Sequence, residues 1–338
     1  MLQNFPAQYW HALDWQLIQC DLCPQTCKLR EGQSGKCGVR RCHQNQLFTL
    51  YGKISGLAVD PIEKKPLYHF LPGSEILSFG TVGCNLSCKF CQNWDISSDF
   101  VHRSVKELAP EEIINLAKKH ASGVAFTYNE PTIFIEYATA VAQLCRKEKI
   151  NTVAVSNGYV CAKPRVDFFS CINAANIDLK AFSNKFYQKL TGSSLQPVLD
   201  TLCYLKQHTQ VWLEITYLLI PEENDAAAEI EAAAKWIKDN LGPEVPLHFS
   251  AFHPTWKMQH KSATEFVAVK QAREIARNQG LYYVYTGNIY DPEGSNTYCY
   301  KCGKGLIVRE GFRVIEQHLT PAGQCKFCNT LCHGVFSL

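Results

Sequence analysis

Between residues 73 and 292 the chain alternates short apolar runs with longer amphipathic stretches. The runs 76–82, 123–127, 151–156, 176–179, 211–219, 247–252 and 282–285 are rich in β-branched and aromatic residues, and each predicts a strand. The stretches 110–119, 132–147, 164–171, 183–190, 197–207, 225–240 and 264–279 predict helices. Pro110 suits a first helical turn, and the alanines at 226–228 and 232–234 are strong helix formers. Strict alternation means βαβ units and a parallel sheet. There are more units than an ordinary doubly wound sheet contains, so the expected fold is α/β, a partial (β/α) TIM-like barrel. Working groups should then lie at the C-terminal ends of its strands.

Composition narrows the class. Of 338 residues, 46% are hydrophobic and 19% charged, enough apolar mass for a buried core. A net charge of +3 is too small to imply nucleic acid, and no block of like charge suggests a membrane patch. The run Glu63-Lys64-Lys65 reads as a solvated turn. The start of the chain does not read as a secretory signal, and the longest apolar stretch, near Ile215–Pro221, is too short to span a bilayer. The 17 cysteines are the unusual feature. They cluster in CxxC-type spacings, which predicts metal or cluster ligation in a reducing cytoplasm rather than disulfides.

The central cluster is Cys84-x3-Cys88-x2-Cys91, directly after the first expected strand. Three thiolates on one tight loop can hold three irons of a [4Fe–4S] cube and leave the fourth open to a chelating ligand, whereas four would close the site for electron transfer. A zinc site is the plain alternative. Phe90 either shields the cluster or packs in the core.

This spacing resembles the signature of radical S-adenosylmethionine (SAM) enzymes. Two further runs, Asp60 to Phe70 (DPIEKKPLYHF) and Cys91-Gln92-Asn93-Trp94, are similar to the radical SAM enzymes of the AmmeMemoRadiSam system, relatives of pyruvate formate-lyase activating enzymes. The resemblance runs from Cys20 to about Gly334. It implies a barrel of the radical SAM type, a [4Fe–4S] cluster and SAM as cofactors, and cytoplasmic oxidoreductase chemistry. It also implies an electron donor such as flavodoxin or ferredoxin, and a protein substrate.

The resemblance also assigns polar residues at the strand ends. Thr127-Tyr128-Asn129-Glu130-Pro131 is similar to the family's Gly-Gly-Glu-Pro motif, with Tyr128 and Asn129 in place of the glycines. Glu130 would accept from the SAM ammonium; otherwise it is a charge at a helix N-terminus. Asn157, in Ser156-Asn157-Gly158, binds ribose or carboxylate groups, or simply makes an Asn-Gly turn. Asp178 and Lys180 share a face by strand alternation, and the lysine would meet the SAM carboxylate. Glu214 and Thr216 share a face of the next strand. His253 and Asn288 are placed beside SAM and its adenine; their plain readings are structural and loop residues. The sequence names no catalytic side chain.

Two cysteine-rich segments flank the barrel. Cys299-x2-Cys302 and Cys325-x2-Cys328 are paired knuckles of a zinc-ribbon-like segment, with Gly303 suited to the turn and Cys332 and His333 as spare ligands. At the other end Cys20, Cys23, Cys27 and Cys37 leave zinc and an auxiliary iron–sulfur cluster both open, with Cys42 beside His43 a fifth candidate. Cys145, Cys161, Cys171 and Cys203 read as small buried apolar residues. The expected division is 1–72, a Cys-rich segment; 73–292, the barrel; and 293–338, the zinc-ribbon-like segment. The expected function is reductive cleavage of SAM followed by hydrogen abstraction, with glycyl-radical activation of a partner as the sharper form. The alternatives are modification of another protein or a small molecule, or a non-catalytic iron–sulfur or zinc module.

Overall fold

The computed structural model describes residues 5–14, 16–98 and 104–337. Its centre is an eight-stranded sheet in which β1 (Gly56–Pro61) runs antiparallel to β2 (Glu75–Gly80). From β2 onward every neighbour is parallel: β3 (Gly123–Phe126), β4 (Asn151–Ser156), β5 (Ala174–Asp178), β6 (Trp212–Leu219), β7 (Leu247–Ala251) and β8 (Val284–Gly287). Strand order follows chain order, as in a barrel, but the edge strands β1 and β8 do not pair with each other. Nearly every residue of the inner strands is buried, because helices cover the sheet outside and side chains fill it inside.

The connecting helices are α1 (Pro110–His120), α2 (Ile135–Lys147), α3 (Ala162–Phe169), α4 (Gln196–His208), α5 (Ala227–Leu241) and α6 (Phe266–Asn278). In α1 Pro110 takes the first position, the Glu112 carboxylate accepts from the Ala109 N–H at 2.7 Å, and Lys118, Lys119 and His120 fill the last turn. Two expected helices change character. The stretch 132–147 opens with a 3-10 turn, Pro131–Phe134, before α2. The stretch 183–190 becomes a brief α turn followed by a π-helix, Tyr187–Thr191, which ends at Gly192 with φ +67°. The last strand lies two residues later than its apolar run, at Val284–Gly287.

Strand β1 was not legible as a strand. Leu57 and Val59 are exposed while Asp60 is buried, so its polarity pattern is inverted. What places it is pairing with β2 along its whole length. The segment after it plugs the N-terminal end of the sheet's interior. Glu214 accepts the N–H groups of Tyr68 (3.0 Å) and His69 (2.7 Å), and Asn176 donates to the Pro66 carbonyl at 2.8 Å. Glu214 is therefore part of the floor, paired with His248 at 2.6 Å. The reading of Glu63-Lys64-Lys65 as a solvated turn is corrected here. Glu63 is buried against Arg309 (3.6 Å), and Lys65 is buried against Asp60 (2.7 Å). Only Lys64 of the three is half exposed.

The C-terminal segment forms a three-stranded antiparallel sheet: β9 (Thr297–Tyr298), β10 (Gly305–Glu310) and β11 (Arg313–Gln317). It shares a small core with Tyr68, Tyr283 and Tyr285 at the β8 edge. Arg309 crosses that interface. It donates to the Tyr68 carbonyl at 2.7 Å and lies 4.2 Å over the Tyr68 ring. No helix among the described residues is long and apolar enough to cross a membrane.

Candidate metal and cofactor centre

Cys84, Cys88 and Cys91 sit on the loop that leaves β2. Neighbouring backbone shapes this loop. Ser87 donates its N–H to the Thr191 carbonyl and Lys89 to that of Leu190, both at 2.9 Å. The π-helix ends in those two acceptors, so its irregular turn is what receives the cysteine loop. From the far side Lys257 donates its N–H to the Lys89 carbonyl at 3.0 Å. Burial pushes all three thiols up, Cys88 to about 12. Without a cation these sulfurs are held as thiols; they become ligands when a metal compensates the charge. Lys180 opposes the upward shift at both Cys88 and Cys91.

The strand ends converge on this loop. Asn157 donates from Nδ2 to Asn85 Oδ1 at 2.8 Å, and the same amide lies 3.9 Å from Cys84 Sγ. Asn85 in turn donates to the Tyr159 carbonyl at 2.8 Å. Lys180 and Asp178 form an ion pair at 2.7 Å, partly open to solvent, on the shared face that alternation predicts. His253 is exposed and its Nε2 lies 3.1 Å from the Asn288 carbonyl, so the loops after β7 and β8 meet. Asn288 has φ +60° and donates to the Ala251 carbonyl at 2.8 Å.

Glu130 is buried and already engaged. Its Oε1 accepts from the Thr132 N–H (3.0 Å) and the Ser156 hydroxyl (2.8 Å), and its Oε2 from the Asn157 N–H (2.7 Å). It caps the 3-10 turn and ties the ends of β3 and β4 together. Its charge adds to the upward push on Cys84. Tyr128 holds φ +68°, a left-handed conformation natural to glycine. Its hydroxyl donates to Asp60 at 2.8 Å, and Asn129 bridges to Thr81 and to the Gly83 carbonyl at 3.0 Å. The left-handed turn at Tyr128 is thus held by side-chain anchors.

Aromatic side chains complete the surroundings of the loop, and of these Tyr187 and Trp256 lie outside the runs the sequence singled out. Tyr187 accepts the Lys180 N–H at 3.0 Å and faces Cys88. Trp94 stacks on Trp256 with centroids 4.4 Å apart, and Trp256 has φ +49°. Phe90 packs against Phe186 in the core.

The C-terminal cysteines are drawn together. Cys299 and Cys328 sulfurs lie 3.6 Å apart, and those of Cys302 and Cys325 lie 3.7 Å apart. With metal–sulfur bonds of about 2.3 Å, a tetrahedron has edges of roughly 3.8 Å, so these four sulfurs fit one metal ion. Among the described residues this is the one set of three or more Cys, His, Asp or Glu whose ligand atoms all lie within 4.8 Å of each other. The sulfurs of Cys84, Cys88 and Cys91 do not all lie within 4.8 Å of each other, a spacing that fits thiolates on separate irons of a cube. Cys332 is buried and lies 3.9 Å from His69 Nδ1, outside the four-sulfur set. All 17 cysteines are free thiols.

The family model for the radical SAM superfamily matches residues 79–237, the span from β2 to α5. An uncharacterized protein of Methanocaldococcus jannaschii is 37% identical over 327 residues, covering 95% of this chain and 97% of its own. Residues 79–237 belong to the radical SAM superfamily. This radical SAM protein is also similar to the pyruvate formate-lyase 1-activating enzyme of Escherichia coli, at 24% identity over 63% of this chain and 90% of that one. A radical SAM methyltransferase from Sphaerobacter thermophilus shares its fold, with TM-score 0.51 and 15% identity over 64% of this chain and 67% of that chain. Streptococcus suis SuiB does so at TM-score 0.51 and 13% identity, over 68% and 52%. Membership implies a [4Fe–4S] cluster and SAM. The residues present fit that pair: three separated thiols on one loop, with a partly open Lys–Asp pair beside them.

Proposed function

We propose that this enzyme abstracts a hydrogen atom from a protein partner, with glycyl-radical installation as the specific reaction. A [4Fe–4S] cluster held here would supply the one electron that splits SAM into methionine and a 5′-deoxyadenosyl radical. The chain's own residues do the rest. Cys84, Cys88 and Cys91 would hold the cluster through their three thiolates. Lys180, already beside Cys88 and Cys91, receives the SAM carboxylate, and Asp178 fixes the lysine. Asn157 holds the Cys84 end of the loop in register through Asn85. His253 and Asn288 flank the adenosine side. Glu130 acts by positioning the ends of β3 and β4, with one oxygen, Oε2, accepting from Asn157 alone. The four C-terminal cysteines hold zinc as a brace for a segment with little core of its own.

The observation that carries the partner reading is the similarity to the pyruvate formate-lyase activating enzyme across 226 residues. The open mouth agrees with it, since His253 and Asn288 are exposed and reachable by a large substrate. The electron would come from a low-potential carrier of the flavodoxin or ferredoxin kind. The test is anaerobic reconstitution with SAM and dithionite, then assay for 5′-deoxyadenosine, with deuterium traced into it from labelled cell fractions. Label from the protein fraction is the expected result. Label arriving only from small molecules would refute a protein substrate, and no 5′-deoxyadenosine at all would refute the radical chemistry.

A further inference from the structure

We propose that Cys20, Cys23, Cys27 and Cys37 hold a second [4Fe–4S] cluster, closed by four thiolates and packed against the loop that carries Cys84. The four side chains line one small cavity together with Arg40 and Asn85. They are close enough to act on one another electrostatically: Cys23 feels Cys20, Cys37 and Cys27. Yet no three of these sulfurs lie within 4.8 Å of each other, whereas the four C-terminal sulfurs of the same chain do. A single zinc ion draws its sulfurs onto one centre; a cube gives each thiolate its own iron and spreads them around a shared space. The C-terminal set is thus compact and the N-terminal set is not.

Donors surround the sulfurs. The Lys36 N–H reaches Cys27 Sγ at 3.4 Å, and the backbone N–H groups of Leu22, Gln25 and Val39 face Cys20, Cys23 and Cys37. Arg40 supplies a second, independent observation. Its side chain is 1% exposed, and Nη1 is bound by both oxygens of Glu136 at 3.0 and 3.1 Å. Its Nη2 is taken by the Gln8 carbonyl, but its Nε has no partner. A buried guanidinium with a free N–H at the wall of a four-cysteine cavity answers an anionic group inside it. The cavity also adjoins the central loop directly. Gln25 donates to the Asn85 carbonyl at 3.0 Å, and a Cβ on Gly83 would lie 2.3 Å from the Cys37 carbonyl oxygen. Four thiolates leave no iron open, so this cluster holds and passes an electron and does not bind SAM.

The experiment uses the full chain, produced and reconstituted anaerobically with iron and sulfide. In the variant C84A/C88A/C91A the expected content is about four irons and four sulfides per chain, with an EPR signal after dithionite reduction that SAM does not move. Adding C23S and C27S should remove that iron. A C84A/C88A/C91A protein without iron but with zinc at both ends would overturn the proposal. Should that variant fail to fold, the wild type decides. About eight irons and two EPR components support the site, and about four irons overturn it whatever the zinc content. A SAM-sensitive component that survives in C84A/C88A/C91A would instead count against the assignment of Cys84, Cys88 and Cys91, so the two failures are distinguishable.

Discussion

Replacing Gly83 with alanine tests how tightly the N-terminal cysteine segment is seated on the central loop. Gly83 has φ +88°, and an added Cβ would meet the Cys37 carbonyl oxygen at 2.3 Å, Val39 Cγ1 at 2.9 Å and Ile133 Cδ1 at 3.3 Å. The left-handed backbone alone costs alanine about 1–2 kcal/mol. The overlap adds about 1–3 kcal/mol, because the closest neighbour is backbone and cannot rotate away. The expected total is about 2–5 kcal/mol. Gly311 provides the control: it has φ +59° and nothing within 4 Å of a built Cβ, so Gly311→Ala should cost only the backbone term. The assay is urea unfolding of the metal-loaded proteins under anaerobic conditions, followed by far-UV dichroism and tryptophan fluorescence to check that the transitions coincide. Equal destabilisation by the two substitutions would refute the argument, because it would mean that Cys37 does not press on the loop.

The remaining expectations concern pH, metal and SAM. Burial first of all, with Arg309 and His248 adding to it and Glu214 opposing, lowers His69 from 6.5 to about 4. The unfolded chain then binds the extra proton between those values, so stability is complete above about 6.5 and falls as pH drops toward 4. His69→Gln should flatten the dependence of the urea midpoint in that window; an unchanged slope would contradict it. Cys325→Ser should release one metal ion per chain and lower the melting temperature, while the folded fraction still makes 5′-deoxyadenosine. Iron in place of zinc at that site, by elemental analysis, would rule out the zinc assignment. Lys180→Met removes the cation beside Cys88 and Cys91 and should weaken SAM binding by about 1.5–3 kcal/mol, roughly 10- to 150-fold in Kd. Unchanged SAM affinity in equilibrium dialysis would remove Lys180 from the site.

Much of the architecture was legible because it is local. The strand Asn151–Ser156 lies where its β-branched run predicts, and Asp178 and Lys180 share a face because strand side chains repeat every second residue. Long-range partners account for what was missed. Gly56–Pro61 is a strand only because β2 lies beside it, and Glu63 and Lys65 are buried only because Arg309 and Asp60 meet them there. The irregular turn at Tyr187–Thr191 depends on carbonyls received by Ser87 and Lys89, about a hundred residues earlier. Asn85 and Tyr187 belong to no motif, so only their contacts reveal them.

The sequence by itself determined which cysteines lie near one another along the chain, since two or three residues separate most of those in each cluster. It also determined the alternation of strands and helices, through the periodicity of apolar positions. The tertiary structure alone decided how far apart the sulfurs of each set stand. Cys302 and Cys325 are 23 residues apart in the chain, yet their sulfurs lie at 3.7 Å because β9, β10 and β11 fold the two knuckles together. Cys20 to Cys37 span a shorter stretch but open around a cavity, because Arg40 and the Cys84 loop form part of its wall. Spacing along a chain limits which sulfurs can meet; the packing around them decides how close they come.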